Sequence, residues 1–131
     1  MHKLDIRTYY EDTDAGGIVY HASYIRFAER GRTEMLRAAG YEHSSLLKEQ
    51  GIGFAVVSLH IEYRTPARLD DLLTVRTRVT RMGGASMDMA QDIYRGDEAI
   101  CEIKVTLVCI DSTLKAVRLP QEVRDLFKIE E

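Results

Sequence analysis

Several things are scarce in this chain, and each scarcity removes a class of function. Basic residues are not in excess: 18 lysines and arginines face 21 aspartates and glutamates, giving a net charge of −3 and a pI near 5.8. A nucleic-acid binder normally carries a basic face, so nucleic acid is not an expected partner. No apolar run approaches the ~18 residues of a membrane span. The opening Met1-His2-Lys3-Leu4-Asp5-Ile6 has no signal-peptide core, so a cytoplasmic protein is expected. Only two cysteines occur, Cys101 and Cys109, both in one strand-like run. At strand rise they stand roughly 26 Å apart, beyond disulfide reach, which predicts buried reduced thiols. Neither Gly-Lys-Ser/Thr nor Gly-x-Gly-x-x-Gly is present, and no serine sits in a Gly-x-Ser-x-Gly elbow. Nucleotide loops and serine hydrolases therefore have no sequence support.

What is present reads as one α+β domain spanning 1–131, with no repeat, linker or low-complexity tract. Leu4–Tyr10 alternates like a first strand, with Leu4, Ile6, Thr8 and Tyr10 on one face. From Ser23 to Ala39 the pattern turns helical. Tyr24, Phe27, Ala28, Gly31, Met35, Leu36 and Ala39 recur at three- and four-residue spacing, Ser23 is placed as a cap and Gly40 as the C′ residue. Gly31 in mid-helix predicts a close crossing over a sheet. A short helix is expected over Ser44–Gln50. Phe54–Arg64, Leu72–Met82, Ala85–Tyr94 and Glu98–Ile110 then read as antiparallel strands, with glycine-bearing hairpins at Met82–Ala85 and Arg95–Glu98 whose glycines supply positive φ. Val117–Leu119 reads as a short edge strand and Pro120–Lys128 as a terminal helix. A sheet curled about one helix leaves edge strands and a convex face needing cover, so a homodimer at least is expected.

The chemistry concentrates at Tyr9-Tyr10-Glu11-Asp12-Thr13-Asp14-Ala15-Gly16-Gly17-Ile18-Val19-Tyr20-His21, between the first strand and the long helix. This junction offers carboxylates, a tight glycine turn and the free N–H groups of a helix start. Asp-x-Asp in a turn is commonly structural. The spacing Asp12-x-Asp14-x-x-Gly17 suggests a calcium loop, but Ser23 occupies the position that needs a bidentate glutamate. Asp12, Asp14 and His21 match no metal spacing, so no metal site is expected. Gly16 and Gly17 instead allow a loop that approaches a substrate backbone-first. Asp14 and His21 flank that turn, where a carboxylate and an oxyanion donor can act on a carbonyl. His2, His43 and His60 lack such neighbours. Among the strand-end arginines, Arg64, Arg68 and Arg81 are placed to meet a diphosphate.

These residues carry a resemblance. Asp12 to Tyr24, then Glu29-Arg30-Gly31-Arg32-Thr33-Glu34-Met35-Leu36, Glu62-Tyr63-x-x-Pro66-Ala67-Arg68-Leu69-Asp70-Asp71 and Val105-x-Leu107-Val108-Cys109-x-Asp111 resemble the hot-dog-fold acyl-CoA thioesterases. The branch they resemble most is the Tol–Pal-associated one, related to 4-hydroxybenzoyl-CoA thioesterase. The resemblance implies a long central helix wrapped by about five antiparallel strands. It further implies dimers joined edge to edge, often paired into homotetramers, and interfacial sites that hydrolyse acyl-CoA without metal or cofactor. By motif position, Asp14 matches the catalytic aspartate and His21 the residue whose N–H faces the thioester carbonyl, with its imidazole assisting. Tyr10 matches a nearby tyrosine. Gly17, Tyr20, Arg64, Arg81 and Ser86 are the expected substrate-binding residues, the last two on a hairpin near the CoA arm. Relatives often carry larger or hydroxyl residues where this hairpin has Gly83 and Ala85, and alanine where the helix has Gly31, a change expected to be tolerated.

The implied mechanism is thioester hydrolysis. Asp14 acts as general base on water or as nucleophile, and the His21 N–H polarises the carbonyl. Two alternatives remain at this level. An enoyl-CoA hydratase would pair Asp and His at shorter spacing than the seven residues here. A non-catalytic module would bind acyl-CoA or an acyl carrier protein without turnover.

Overall fold

A computed structural model describes residues 1–130. Five strands, β1 (His2–Arg7), β2 (Ile52–Tyr63), β3 (Leu72–Met82), β4 (Ser86–Arg95) and β5 (Glu98–Asp111), form one antiparallel sheet in the order β1-β3-β4-β5-β2. The period-two pattern of the sequence decides its faces. Leu73, Val75, Thr77 and Val79 on β3, and Cys101, Ile103, Val105, Leu107 and Cys109 on β5, are buried, while their neighbours turn outward. The cysteine thiols are free and buried. Burial pushes Cys101 up to about 12, helped by the carboxylates of Asp92 and Glu102. Such a thiol is inert at neutral pH.

Helix α1 (Ser23–Ala38) lies across the concave face on Tyr24, Phe27, Ala28, Gly31, Met35 and Leu36. A large side chain such as the fully buried Phe27 contributes roughly 1.5–3 kcal/mol by leaving water. Gly31 is the point of closest approach. A Cβ there would lie 2.8 Å from Cγ1 of Val75 and 3.1 Å from both the Gln91 amide nitrogen and the Thr77 hydroxyl. In this chain glycine is needed at the crossing, because the three atoms already occupy the space a Cβ would take. Gln91, fully buried, joins helix to sheet: its amide donates to the Ala28 carbonyl (2.8 Å) and to Thr77 Oγ1 (3.0 Å), and its oxygen accepts from Arg32 Nη1 (2.9 Å). Gly40, with φ +96°, closes the helix as expected. A short helix, α2 (His43–Ser45), continues as a π-turn (Leu46–Gln50) and stops at Gly51, with φ +66°.

Five local expectations need correction. The first strand stops at Arg7, and Tyr10 belongs to a 3-10 turn (Tyr10–Asp12) with its side chain 83% exposed. The chain leaves the sheet because Asp12 Oδ2 accepts the Tyr9 N–H (2.8 Å). Ser23 does not cap α1. Its buried hydroxyl donates back to the Asp12 carbonyl (3.0 Å) and accepts from Arg26 Nη2 (2.9 Å). Val117–Leu119 forms no strand; Val117 N–H reaches the Cys109 carbonyl and Leu119 N–H the Gly84 carbonyl, both at 2.9 Å, so the segment is tied down without a ladder. At the β3–β4 hairpin neither glycine has positive φ, in contrast to Gly96 (φ +59°) at the β4–β5 turn. Gly83 serves space instead, since a Cβ would fall 2.8 Å from Ser86 Oγ and 3.0 Å from Arg81 Nη1. The terminal helix α3 (Gln121–Leu126) is shorter than expected; Arg124 docks it by donating to the Gly83 carbonyl (2.6 Å).

Edge strand β2 is left partly uncovered on its concave side: Phe54, Leu59 and Ile61 pack against the core, while Val56 and Tyr63 stay exposed. Val56 and Val57 on β2 are 48% and 58% exposed at a bulge in the strand. Two cavities open along this uncovered side, one at each end of α1.

Candidate active site

The Asp12–His21 junction is a small, strongly tied hairpin. Thr13 and Val19 pair across it, Asp14 N–H donates to the Ile18 carbonyl (2.9 Å), and Gly17 N–H returns to the Asp14 carbonyl (3.1 Å). Gly17 has φ +82°, the left-handed conformation this turn demands and most side chains resist. The hairpin is anchored outside itself as well. Val19 N–H donates to the Ala67 carbonyl (2.8 Å), and Ile18 bridges to Arg68. Asp12 is 4% exposed and its carboxylate closes the preceding turn, so its role is structural.

Asp14 is different. Its carboxylate is exposed and one oxygen accepts the Gly16 N–H (2.8 Å); no other hydrogen bond reaches it among the described residues. That bond fixes the side chain while leaving an oxygen for a water or an acyl carbon. Asp14 lines a cavity of about 380 Å³ together with Ile18, His21, Tyr24, Tyr63 and Arg64. His21 lines the same cavity, and the chain enters α1 through His21 and Ala22. Neither backbone N–H of this pair donates to a protein group among the described residues. They are the orphan donors of a helix start, and the helix dipole favours negative charge beside them.

Two tyrosines hold the frame. Tyr63 donates its hydroxyl to the His21 carbonyl (2.8 Å), fixing the peptide that precedes α1. Tyr24 accepts the Ala67 N–H on its hydroxyl (3.0 Å), and its phenol is pushed up by burial. The rings of Tyr24 and Tyr63 meet edge-on at 5.8 Å. Neither was named as a site residue from the sequence, although both stand in the quoted motifs and Tyr24 was read as part of the buried helix face; a tyrosine in such a pattern carries no signal of what its hydroxyl reaches.

The expected site residues thus separate into groups. Asp14, His21 and Arg64 share the cavity, and Arg64 also pairs with Glu102 (3.1 Å). Gly17 shapes the loop, and the Tyr20 ring lies 4.4 Å from that of His21. Tyr10 points into solvent, away from this cavity. Arg81 and Ser86 sit together elsewhere: Arg81 pairs with Asp88 (2.7 Å) and donates to Ser86 Oγ (3.0 Å). Tyr63 is opposite Cys101 and Ser86 opposite Val108, so seven residues of β5, about 23 Å, lie between the two groups. Among the described residues no cluster of three His, Cys, Asp or Glu side chains is close enough to hold a metal ion.

A second, larger cavity of about 500 Å³ opens at the other end of α1, between its C-terminal half, the π-turn and the start of β2. Its walls include Met35, Leu47, Phe54 and Met87, with Glu29, Arg32 and His43 as polar members. The His43 imidazole is held below its ordinary value by burial, then by the Arg32 charge. No sequence signal joined these residues, since they come from separate elements.

Residues 9–127 match the thioesterase-like superfamily. The chain belongs to that superfamily. Within it, the acyl-CoA thioesterase YbgC of Haemophilus influenzae is 44% identical over 93% of this chain and 90% of its own length. The acyl-CoA thioester hydrolase YbgC of Escherichia coli O157:H7 is also 44% identical, over 98% of this chain and 96% of its own length. Among solved structures, a probable thioesterase from Bartonella henselae superposes with a TM-score of 0.88 at 39% identity, covering 91% of this chain and 98% of that one. The architecture is the hot-dog fold, a helix wrapped by a curled antiparallel sheet, which is what the superfamily's motifs implied from the sequence.

Proposed function

We propose that this superfamily member hydrolyses acyl-CoA thioesters at the Asp14–His21 junction. The observation that carries the reading is geometric. A carboxylate held by a single backbone bond and His21, whose N–H at the helix start is free, line one open cavity. With the thioester carbonyl at the helix start, the His21 N–H takes the developing oxyanion. Asp14 either removes a proton from an attacking water or attacks the carbonyl carbon itself. In both routes the C–S bond breaks, CoA leaves as thiolate and takes up a proton, and water supplies the oxygen of the free acid. The His21 ring, exposed and beside Tyr20, is placed to assist from the solvent side.

The reading requires a homodimer. A twelve-residue edge strand with exposed Val56 and Val57 is a surface that pairs, and antiparallel pairing about a two-fold axis is the closed way to do it. Pairing centred near Ser58, at the bulge, sets Gly53 opposite Tyr63 of the partner subunit. The larger cavity of one copy then adjoins the junction of the other. The same pairing shortens the path to Arg81 and Ser86. Ser86, Val108 and Ala55 lie abreast, so the hairpin is two strand spacings, roughly 10 Å, from the paired edge. That suits a CoA arm running over Arg64, Arg81 and Ser86, and any part played by Tyr10 falls to the assembled dimer. Two such dimers pairing as a tetramer, in the cytoplasm, complete the proposal.

Thiol release from a panel of acyl-CoAs tests it. Asp14→Asn is isosteric, keeps an acceptor for the Gly16 N–H and removes the base. The expected loss of kcat is about 10²–10⁴-fold. Near-wild-type turnover by the variant would refute the assignment of Asp14.

A further inference from the structure

The larger cavity holds a charge that the fold does not neutralise. Arg32 lines it from α1, and its guanidinium donates to Gln91 (2.9 Å), a neutral amide. No ion pair between Arg32 and a carboxylate forms among the described residues. Burial holds its pKa below the usual guanidinium value, although the group remains charged at any ordinary pH. Several arginines on or beside the sheet are instead matched by carboxylates: Arg64 with Glu102, Arg78 with Asp92, Arg81 with Asp88, and Arg95 with Asp71 and Glu98. Beside Arg32 in the cavity wall are Glu29, one turn earlier on the same helix, and His43. Glu29 is exposed and its carboxylate partly opposes the effect of burial on Arg32 without forming an ion pair, and His43 is held toward its neutral form, so the cation keeps a face without a direct anionic partner. A half-buried cation with a free face inside a cavity walled by Met35, Leu47, Phe54 and Met87 is complementary to an anion on the end of a hydrocarbon.

On the thioesterase reading, and on the edge pairing it uses, this cavity is where the acyl group of a thioester held by the partner's junction extends. Within one chain it is out of reach, since eleven residues of turn and helix, roughly 16 Å, separate His21 from Arg32. We propose that Arg32 recognises the far end of the acyl group and that the preferred substrates are ω-carboxyacyl-CoAs, the CoA thioesters of dicarboxylic acids. The distal carboxylate meets the guanidinium while its methylenes lie on the apolar walls. A simple alkyl chain fills the same walls and leaves Arg32 without a partner.

The test is the ratio of kcat/KM for adipoyl-CoA to that for hexanoyl-CoA, measured by thiol release with the uncatalysed rate subtracted. The wild-type ratio is expected to exceed one by about 10- to 100-fold, the usual range for a charge-assisted contact. Arg32→Met should collapse the ratio toward one or below, and Arg32→Lys should restore part of it. A general packing defect lowers both substrates together, so an unchanged ratio in Arg32→Met overturns the proposal. A wild-type ratio at or below one overturns it as well, whether or not the Met variant folds. Failure of the wild type on every acyl-CoA would instead refute the thioesterase reading itself.

Discussion

Replacing Gly31 with alanine should destabilise this protein, although alanine is the better helix former. In an exposed helix interior the change would gain about 1 kcal/mol. Here the new Cβ would sit 2.8 Å from Val75 Cγ1 and 3.1 Å from the Gln91 and Thr77 side-chain polar atoms. All three neighbours are fully buried. Val75 is β-branched and stiff at χ1, and Gln91 is held at Ala28, Thr77 and Arg32, so none yields easily. Forcing a methyl into such a contact costs typically ~1–3 kcal/mol. Displacing a buried Gln91 hydrogen bond adds a further ~1–3 kcal/mol. Setting the helix gain against these leaves a net loss of roughly 1–5 kcal/mol. For a chain of this size that lowers the thermal midpoint by on the order of 3–20 °C. Urea unfolding followed by far-UV circular dichroism measures the difference, provided the slope stays constant. A Gly31→Ala variant as stable as the parent would show that α1 can lift from β3 at no cost, and the close crossing would lose its energetic meaning.

Other outcomes follow from the same contacts. Tyr63→Phe removes the hydroxyl that holds the His21 carbonyl at 2.8 Å, and since Tyr63 is half exposed the loss should be modest, about 2–10-fold in kcat/KM by thiol release; unchanged kinetics would mean the peptide before α1 needs no such support. Val57→Lys places a like charge on each of two facing edges. Light scattering should then show a monomer, with turnover lost alongside, whereas an active monomeric wild type would remove the need for edge pairing. Asp88 is hydrogen-bonded by Arg81 and Thr106, which hold its carboxyl below the usual carboxylate range. A depressed folded value contributes stability above the unfolded pKa near 3.8, and that contribution is lost as pH falls through the folded value. Below about pH 4, Arg81→Met should therefore lose less stability than the parent on further acidification; parallel acid-unfolding curves would contradict this.

How much of this was legible in the sequence depended on the range of each interaction. Patterns set by one element's own period were readable: the buried face of α1, the alternation of β5, and the hairpin at Gly96 with its positive φ. Features set by what another segment supplies were not. Tyr10 continues the alternation of β1 in sequence, yet Asp12, two residues on, captures the Tyr9 N–H and turns the chain away. Ser23 has the composition of a cap, but the Asp12 carbonyl arrives to take its hydroxyl. The Asp12–His21 junction was conspicuous because carboxylates and glycines crowd one short stretch, whereas the larger cavity draws Arg32, His43, Phe54 and Met87 from four separate elements. The separation of Arg81 and Ser86 from Asp14 is the most telling case. In a list of residues they form one site, and along one sheet they lie about 23 Å apart. Along β5 the two groups do not meet within one chain, so a substrate that uses both must either span that distance or reach the hairpin of a second copy, which is what the proposed pairing on β2 supplies.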